Sequence, residues 1–220
     1  MFPVGDDDTA IRSTTLVTYV LILINVLVFL LELSQGDRFI REWAFVPARF
    51  TQNPAADAVT ILTAMFMHGG WMHLFGNMLY LWIFGNNIED RFGTVRFLIF
   101  YIGSGVVATF AQYLFAPGSN VPNVGASGAI AGVLGAYLVL FPRARVNVAI
   151  GYNVVAMPAL FVLGFWILLQ LFSGVGAIAV TDETMRDVGG VAYMAHIGGF
   201  FAGIAIAVFM RGSGGPKHLT

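Results

Sequence analysis

Six predominantly apolar runs dominate the chain, near Thr15 to Leu33, Met72 to Ile88, Thr94 to Phe115, Ser127 to Phe141, Tyr152 to Ser173 and Val191 to Met210. About 20 apolar residues in a helix cross the roughly 30 Å hydrocarbon core of a bilayer, and a helix satisfies its own backbone polar groups there. The runs predict an all-α polytopic membrane protein with six transmembrane helices. Charged residues make up only 10% of the chain and mean hydropathy is +0.80, too little charge for a water-facing surface. The alternating ten-residue strand pattern of an outer-membrane barrel is missing. With no cysteine, thiol nucleophiles, thiolate metal sites and disulfides are excluded. A net charge of −1 offers no basic footprint for nucleic acid.

Asp6, Asp7 and Asp8 precede the first run, Arg12 is the lone basic residue there, and no small-residue cleavage site follows. The run is therefore expected to be a retained helix. Residues 1–220 read as one membrane-embedded domain, with short cytoplasmic tails over 1–14 and 212–220. Placing the N-terminus inside puts Arg12, Arg91, Arg96, Arg143, Arg145, Arg211 and Lys217 in the cytoplasm and Arg38, Arg41, Arg49 and Arg186 outside, a positive-inside bias. The long connection from Ser34 to Trp71 mixes charges with an apolar stretch from Ile61 to Met67. It is expected to be a partly membrane-embedded loop.

The fourth run is the anomaly. From Ser127 to Phe141 there are 15 residues, reaching only about 22 Å of a roughly 30 Å core. Its start must lie below the outer surface. The preceding segment, Pro117 to Asn123, cannot continue a helix, and irregular backbone at that depth survives only against protein or a water-filled cavity. A wet cavity with Ser127 at its floor follows. At a helix start, Ser127 also sits among free backbone N–H groups, where a developing oxyanion is stabilised.

Small residues recur at helical spacing beside two polar ones. Ser127, Ala131 and Gly135 share a face with Gly128 and Gly132 adjacent, and His196, Gly199 and Gly203 share another. Stripes of this kind let helix backbones approach closely in lipid. If they face each other, Ser127 and His196 share one end of the contact, as a nucleophile and its base would. Small-residue stripes also occur as plain packing, whereas an ionisable residue inside a membrane helix is usually functional. At the start of the second run, His73 and Asn77 stand one turn apart and can donate hydrogen bonds to an oxyanion. A zinc site fits poorly, because His68 and His73 lie about 140° apart on a helix with no acid between them.

At these residues the chain resembles the rhomboid family of intramembrane serine proteases. The resemblance rests on His68-Gly69-Gly70-Trp71-Met72-His73-Leu74-Phe75-Gly76-Asn77, on Gly125-Ala126-Ser127-Gly128, on Ala195-His196-Ile197-Gly198-Gly199-Phe200 continuing to Gly203, and on the order of the six runs. It implies a six-helix bundle around a short central fourth helix, with Ser127 as nucleophile, His196 as general base and acid, and His73, Asn77 and the Ser127 N–H as the oxyanion site. It also implies a gate near the fifth run, whose Phe161, Phe165, Trp166 and Phe172 equally suit lipid-facing packing. Some rhomboids carry a Tyr one turn after the serine, stacked on the imidazole. Here that position is Ala131, so something else must hold His196. The Trp-Arg pair of some first loops is missing too. Glu89-Asp90-Arg91 reads as a solvated helix end with local ion pairing, in preference to a family contact.

The expected activity is hydrolysis of a peptide bond in or next to the transmembrane helix of single-pass membrane proteins, through a Ser-His dyad and an acyl-enzyme, without cofactor or metal. Substrates are expected to carry small residues at the cut and helix-breaking Gly or Pro beyond it. The alternatives are an inactive relative that binds transmembrane clients and a small transporter relaying protons through its histidines. Glu32 is the single acid within the runs, which weakens the transporter. A bacterial cytoplasmic membrane, or an archaeal one, is the expected location.

Overall fold

The computed structural model describes residues 2–6, 11–179 and 192–212. Asp7, Asp8, Arg186, Val191 and the tail after Gly212 lie outside the described residues. In chain order the elements are β1 (Phe2–Asp6), α1 (Leu16–Gln35), α2 (Asp37–Trp43), α3 (Pro47–Gln52), α4 (Pro54–Asp57), α5 (Thr60–Thr63), a single 3-10 turn (Ala64–Phe66), α6 (Trp71–Phe92), α7 (Thr94–Phe115), α8 (Ser127–Leu140), β2 (Arg145–Ile150), β3 (Asn153–Pro158), α9 (Ala159–Ala179) and α10 (Tyr193–Gly212). The chain is mostly helical. By length and apolarity, α1, α7 and α10 can each cross a membrane, while α8 and the apolar part of α9 are shorter.

Helix α1 is inside out relative to a soluble helix. Thr18, Asn25 and Glu32, seven residues apart, are buried, while Leu23, Leu27, Leu30 and Leu31 are exposed. Such a surface suits lipid, and polar side chains in lipid must turn toward the bundle interior. Glu32 accepts the His68 N–H at 3.0 Å. That bond pins the break where the chain turns by 78° between Pro54–Phe66 and Trp71–Phe92.

The bundle is built around α8, which is buried along nearly its whole length. Its glycines meet those of α10 backbone to backbone. A methyl group placed on Gly199 would lie 2.0 Å from the Gly128 carbonyl oxygen, one on Gly203 1.9 Å from the Gly132 oxygen, and one on Gly135 2.1 Å from the Phe200 oxygen. On its other flank α8 meets α7, where methyls on Gly128 and Gly132 would reach within 2.5 Å of Ala108 and Ser104. Dispersion and close carbonyl contacts replace the hydrophobic drive that lipid removes.

Three expectations are corrected. First, the protein is not purely helical: an antiparallel sheet of order β1-β2-β3 stands at the end where α8 finishes. The fifth run therefore starts as strand, and its helix begins at Ala159 rather than Tyr152. Val154 and Val155 raise the hydropathy there, but β-branched residues also suit a strand. A two-residue turn with Gly151 at φ +59° closes the hairpin. Second, residues 2–6, expected only as part of a short tail, form strand β1. They pair with β2, and Asp6 accepts from the Tyr137 hydroxyl at 2.7 Å and the Asn87 amide at 2.8 Å.

Third, Glu89 is no solvated helix end. It is 1% exposed and its carboxylate accepts the backbone N–H groups of Val17 and Thr18 at 2.8 and 2.7 Å, and the Thr18 hydroxyl at 2.8 Å. An acid from α6 thus caps α1, meeting donors and dipole together. Asp90 does likewise for the preceding segment, accepting the Ser13 N–H at 2.7 Å.

The packing predicts a sharp contrast between glycines. Gly203→Ala should lower the thermal unfolding midpoint in detergent, an overpacking cost of about 1–3 kcal/mol. Gly76→Ala, where an added methyl meets nothing within 4 Å, should leave it unchanged or raise it.

Candidate active site

The α8–α10 contact sets the site, because Ser127 is the first residue of α8 and His196 lies in the first turn of α10. The His196 Nε2 is 2.8 Å from the Ser127 Oγ. As the first helical residue, Ser127 has a backbone N–H without a carbonyl one turn back. The chain enters α8 through Gly125 at φ +131°, a conformation that favours glycine. A side chain there would also strike the His73 ring at 2.9 Å. His73 therefore packs directly on the turn that presents the serine.

His73 and Asn77 occupy one face of α6, and both line a cavity of about 620 Å³ together with Ser127, Tyr80, Trp166 and His196. The Gly69 N–H donates to His73 Nδ1 at 3.3 Å. With Nδ1 accepting, the neutral ring carries its proton on Nε2, leaving that nitrogen as a donor. The Asn77 amide nitrogen is buried without a hydrogen-bond partner. A buried orphan donor is costly and rare, and here it lines the cavity. The four expected site residues thus line one space.

His68 is also buried, edge-on to His73 at 5.1 Å between ring centroids. It is not part of the cavity lining. No group of three His, Asp or Glu side chains able to hold a metal occurs among the described residues.

The irregular segment before α8 is covered by the first loop. Ala48 N–H donates to the Ser119 carbonyl at 2.9 Å, Asn123 N–H to Phe45 at 2.8 Å, and Gly125 N–H to Ala64 at 2.9 Å. These bonds pair backbone groups of a segment that has no ladder of its own. The loop itself is clamped by Arg49, which pairs with Asp57 and donates to the Arg41 and Ala44 carbonyls.

Two residues on α9 complete the surroundings of His196. The Gln170 Oε1 lies 2.8 Å from Nδ1. Trp166, one turn earlier, stacks obliquely on the imidazole, with ring centroids 5.8 Å apart at 37°. Sequence reasoning read Trp166 as part of a gate or as lipid-facing packing, and passed over Gln170. The available signal was an amide in an otherwise apolar run, one turn from an aromatic.

The fold and site together define a helical membrane protein that holds a serine and an imidazole in contact at a cavity of mixed lining. A rhomboid domain matches residues 55–213. The chain is 31% identical to rhomboid protease GluP of Bacillus subtilis (strain 168), over 92% of its own length and 37% of that protein's. It is 34% identical to the mitochondrial presenilin-associated rhomboid-like protein A of Danio rerio, over 48% of this chain and 29% of the relative. It is 31% identical to the mitochondrial rhomboid protein 1 of Saccharomyces cerevisiae, over 58% and 37%. The chain thus spans about a third of the length of these relatives. The chain belongs to the rhomboid family.

The Gly125 geometry carries its own prediction. Gly125→Val should displace the His73 ring and the α8 entry turn, and a fluorophosphonate should then react with Ser127 at least about tenfold more slowly than in the parent protein, a barrier change of about 1.4 kcal/mol.

Proposed function

We propose that this protein is an intramembrane serine endopeptidase that cleaves a peptide bond in or next to the transmembrane helix of single-pass substrates. The observation that carries the reading is the 2.8 Å contact between Ser127 Oγ and His196 Nε2 inside an apolar bundle. Six membrane crossings, by α1, α6, α7, α8, α9 and α10, belong to the same reading. So does the role of α8, whose 14 residues leave Ser127 below the membrane surface.

In the proposed reaction, Ser127 Oγ attacks the scissile carbonyl carbon as its proton passes to His196 Nε2. The carbonyl oxygen becomes an oxyanion, held by the Ser127 N–H, the Asn77 amide and His73 Nε2–H. Collapse breaks the C–N bond, with the His196 proton going to the leaving amine, and leaves an acyl-enzyme. Water from the cavity, deprotonated by His196, then releases the new carboxyl terminus and restores Ser127. An extended backbone is needed at the cut, so helix-breaking Gly or Pro beyond small residues favours cleavage. The GluP relative, itself called a rhomboid protease, supports this chemistry for the present chain.

Two measurements test the proposal. A fluorophosphonate should label the wild-type protein but not Ser127→Ala, and both Ser127→Ala and His196→Ala should lose cleavage of a reconstituted single-span substrate while keeping the wild-type unfolding midpoint. An unlabelled, inactive wild type would instead point to a client-binding protein. In steady-state kinetics, Asn77→Ala should reduce kcat by about 10²–10³-fold with little change in KM, as for loss of one oxyanion donor.

A further inference from the structure

The peptidase reading leaves one problem: a base must be held in one tautomer and one orientation, and among the described residues Ser127 is the α8 partner in the hydrogen bonds and ring contacts of His196. Ala131, one turn along, is a fully buried methyl. The support comes from α9. Trp166 covers the imidazole and also packs on Phe200, one turn after His196, with ring centroids 6.1 Å apart at 38°. Gln170 reaches Nδ1 through its amide oxygen at 2.8 Å.

We propose that Gln170 is the positioning residue of the catalytic base, an amide doing for His196 what a carboxylate does in a Ser-His-Asp triad. The proposal rests on the peptidase reading of the same site. An amide oxygen only accepts, so the Nδ1 facing it must carry the ring proton. Nε2 is then left with its lone pair toward Ser127 Oγ, the arrangement that lets the serine donate and the imidazole receive. With the proton on the other nitrogen, Nε2 could not act as base. Trp166 restricts ring rotation about the same axis, so one helix face fixes both the tautomer and the plane. Being neutral, Gln170 sets geometry without adding charge to an apolar bundle, where an unpaired carboxylate is costly.

The test uses the full chain in detergent or liposomes. In Gln170→Met, which keeps the length of the side chain but removes the strong acceptor, the second-order rate of Ser127 labelling by a small fluorophosphonate and kcat for a transmembrane peptide should both fall roughly tenfold to hundredfold. KM should stay unchanged, and Gln170→Glu, which restores an oxygen acceptor, should recover both rates. Wild-type reactivity in Gln170→Met, or a loss confined to KM with labelling unchanged, overturns the proposal and makes Gln170 a packing residue. The ¹⁵N-histidine NMR spectrum of the wild type is a check independent of any variant: His196 protonated on Nδ1 is expected, and protonation on Nε2 overturns the proposal. If the wild type neither labels nor cleaves, the peptidase reading fails and this proposal with it. A reactive wild type matched by Gln170→Met sinks this proposal alone.

Discussion

Everything at the site depends on the backbone contact between α8 and α10. Gly128 and Gly132 offer carbonyl oxygens to positions where Gly199 and Gly203 have no side chain to intrude. Two helices approaching this closely carry Ser127 and His196 to hydrogen-bond distance without either side chain having to stretch. A larger residue at any of these glycines would push the helix axes apart by more than a hydrogen bond tolerates. Glycine in a helix interior costs about 1 kcal/mol relative to alanine in water. In lipid that cost is offset by the packing it permits, since apolar side chains there gain little by leaving hydrocarbon for protein.

A short α8 creates a second obligation. On the proposed six-crossing reading, its N-terminal turn and the segment from Pro117 to Asn123 carry backbone groups that hydrocarbon cannot solvate. The first loop answers by donating and accepting along that segment, and Arg49 holds the loop in shape through Asp57 and two carbonyls. Glu32 ties the end of the same loop to α1. The single acid within the apolar runs is thus a fastener between the C-terminal end of α1 and the start of α6, where His73 and Asn77 stand. Glu89 and Asp90 perform the matching task at the opposite end of α6.

What could be read from the sequence was what repeats or stands out along one helix. The glycine rows, the length of the fourth run and the lone Ser and His at the heads of apolar helices are local signals, and the structure places those residues together. Partners from distant elements left no such trace. Glu89 sits 72 and 71 residues from the N–H groups it accepts, so an acid near a helix end looked solvated. The strand from Asn153 to Pro158 was absorbed into the fifth run because hydropathy alone does not separate a β-branched strand from the start of a helix. Residues 2–6 read as part of a short tail because the strand they pair with, β2, lies about 140 residues away.

Ala131 stands where the family resemblance allows a ring on α8, and the neighbours of the imidazole lie on α9 instead. With an aromatic ring on α8, nucleophile and stacking partner would share one rigid helix, and the imidazole would be steadied by the element that presents the serine. Here the ring is Trp166 and the acceptor is Gln170, both on α9, while the serine stays on α8 and the imidazole on α10. Three helices must therefore be in register for the proposed base to face its nucleophile. A shift of α9 of only about 1 Å would stretch a 2.8 Å bond past the limit at which an amide directs a tautomer. If α9 also gives way when a substrate helix enters, as the family resemblance implies, access to the cavity and orientation of the base are one variable. Under the proposed function, His196 would then face Ser127 only when α9 has settled back against α10.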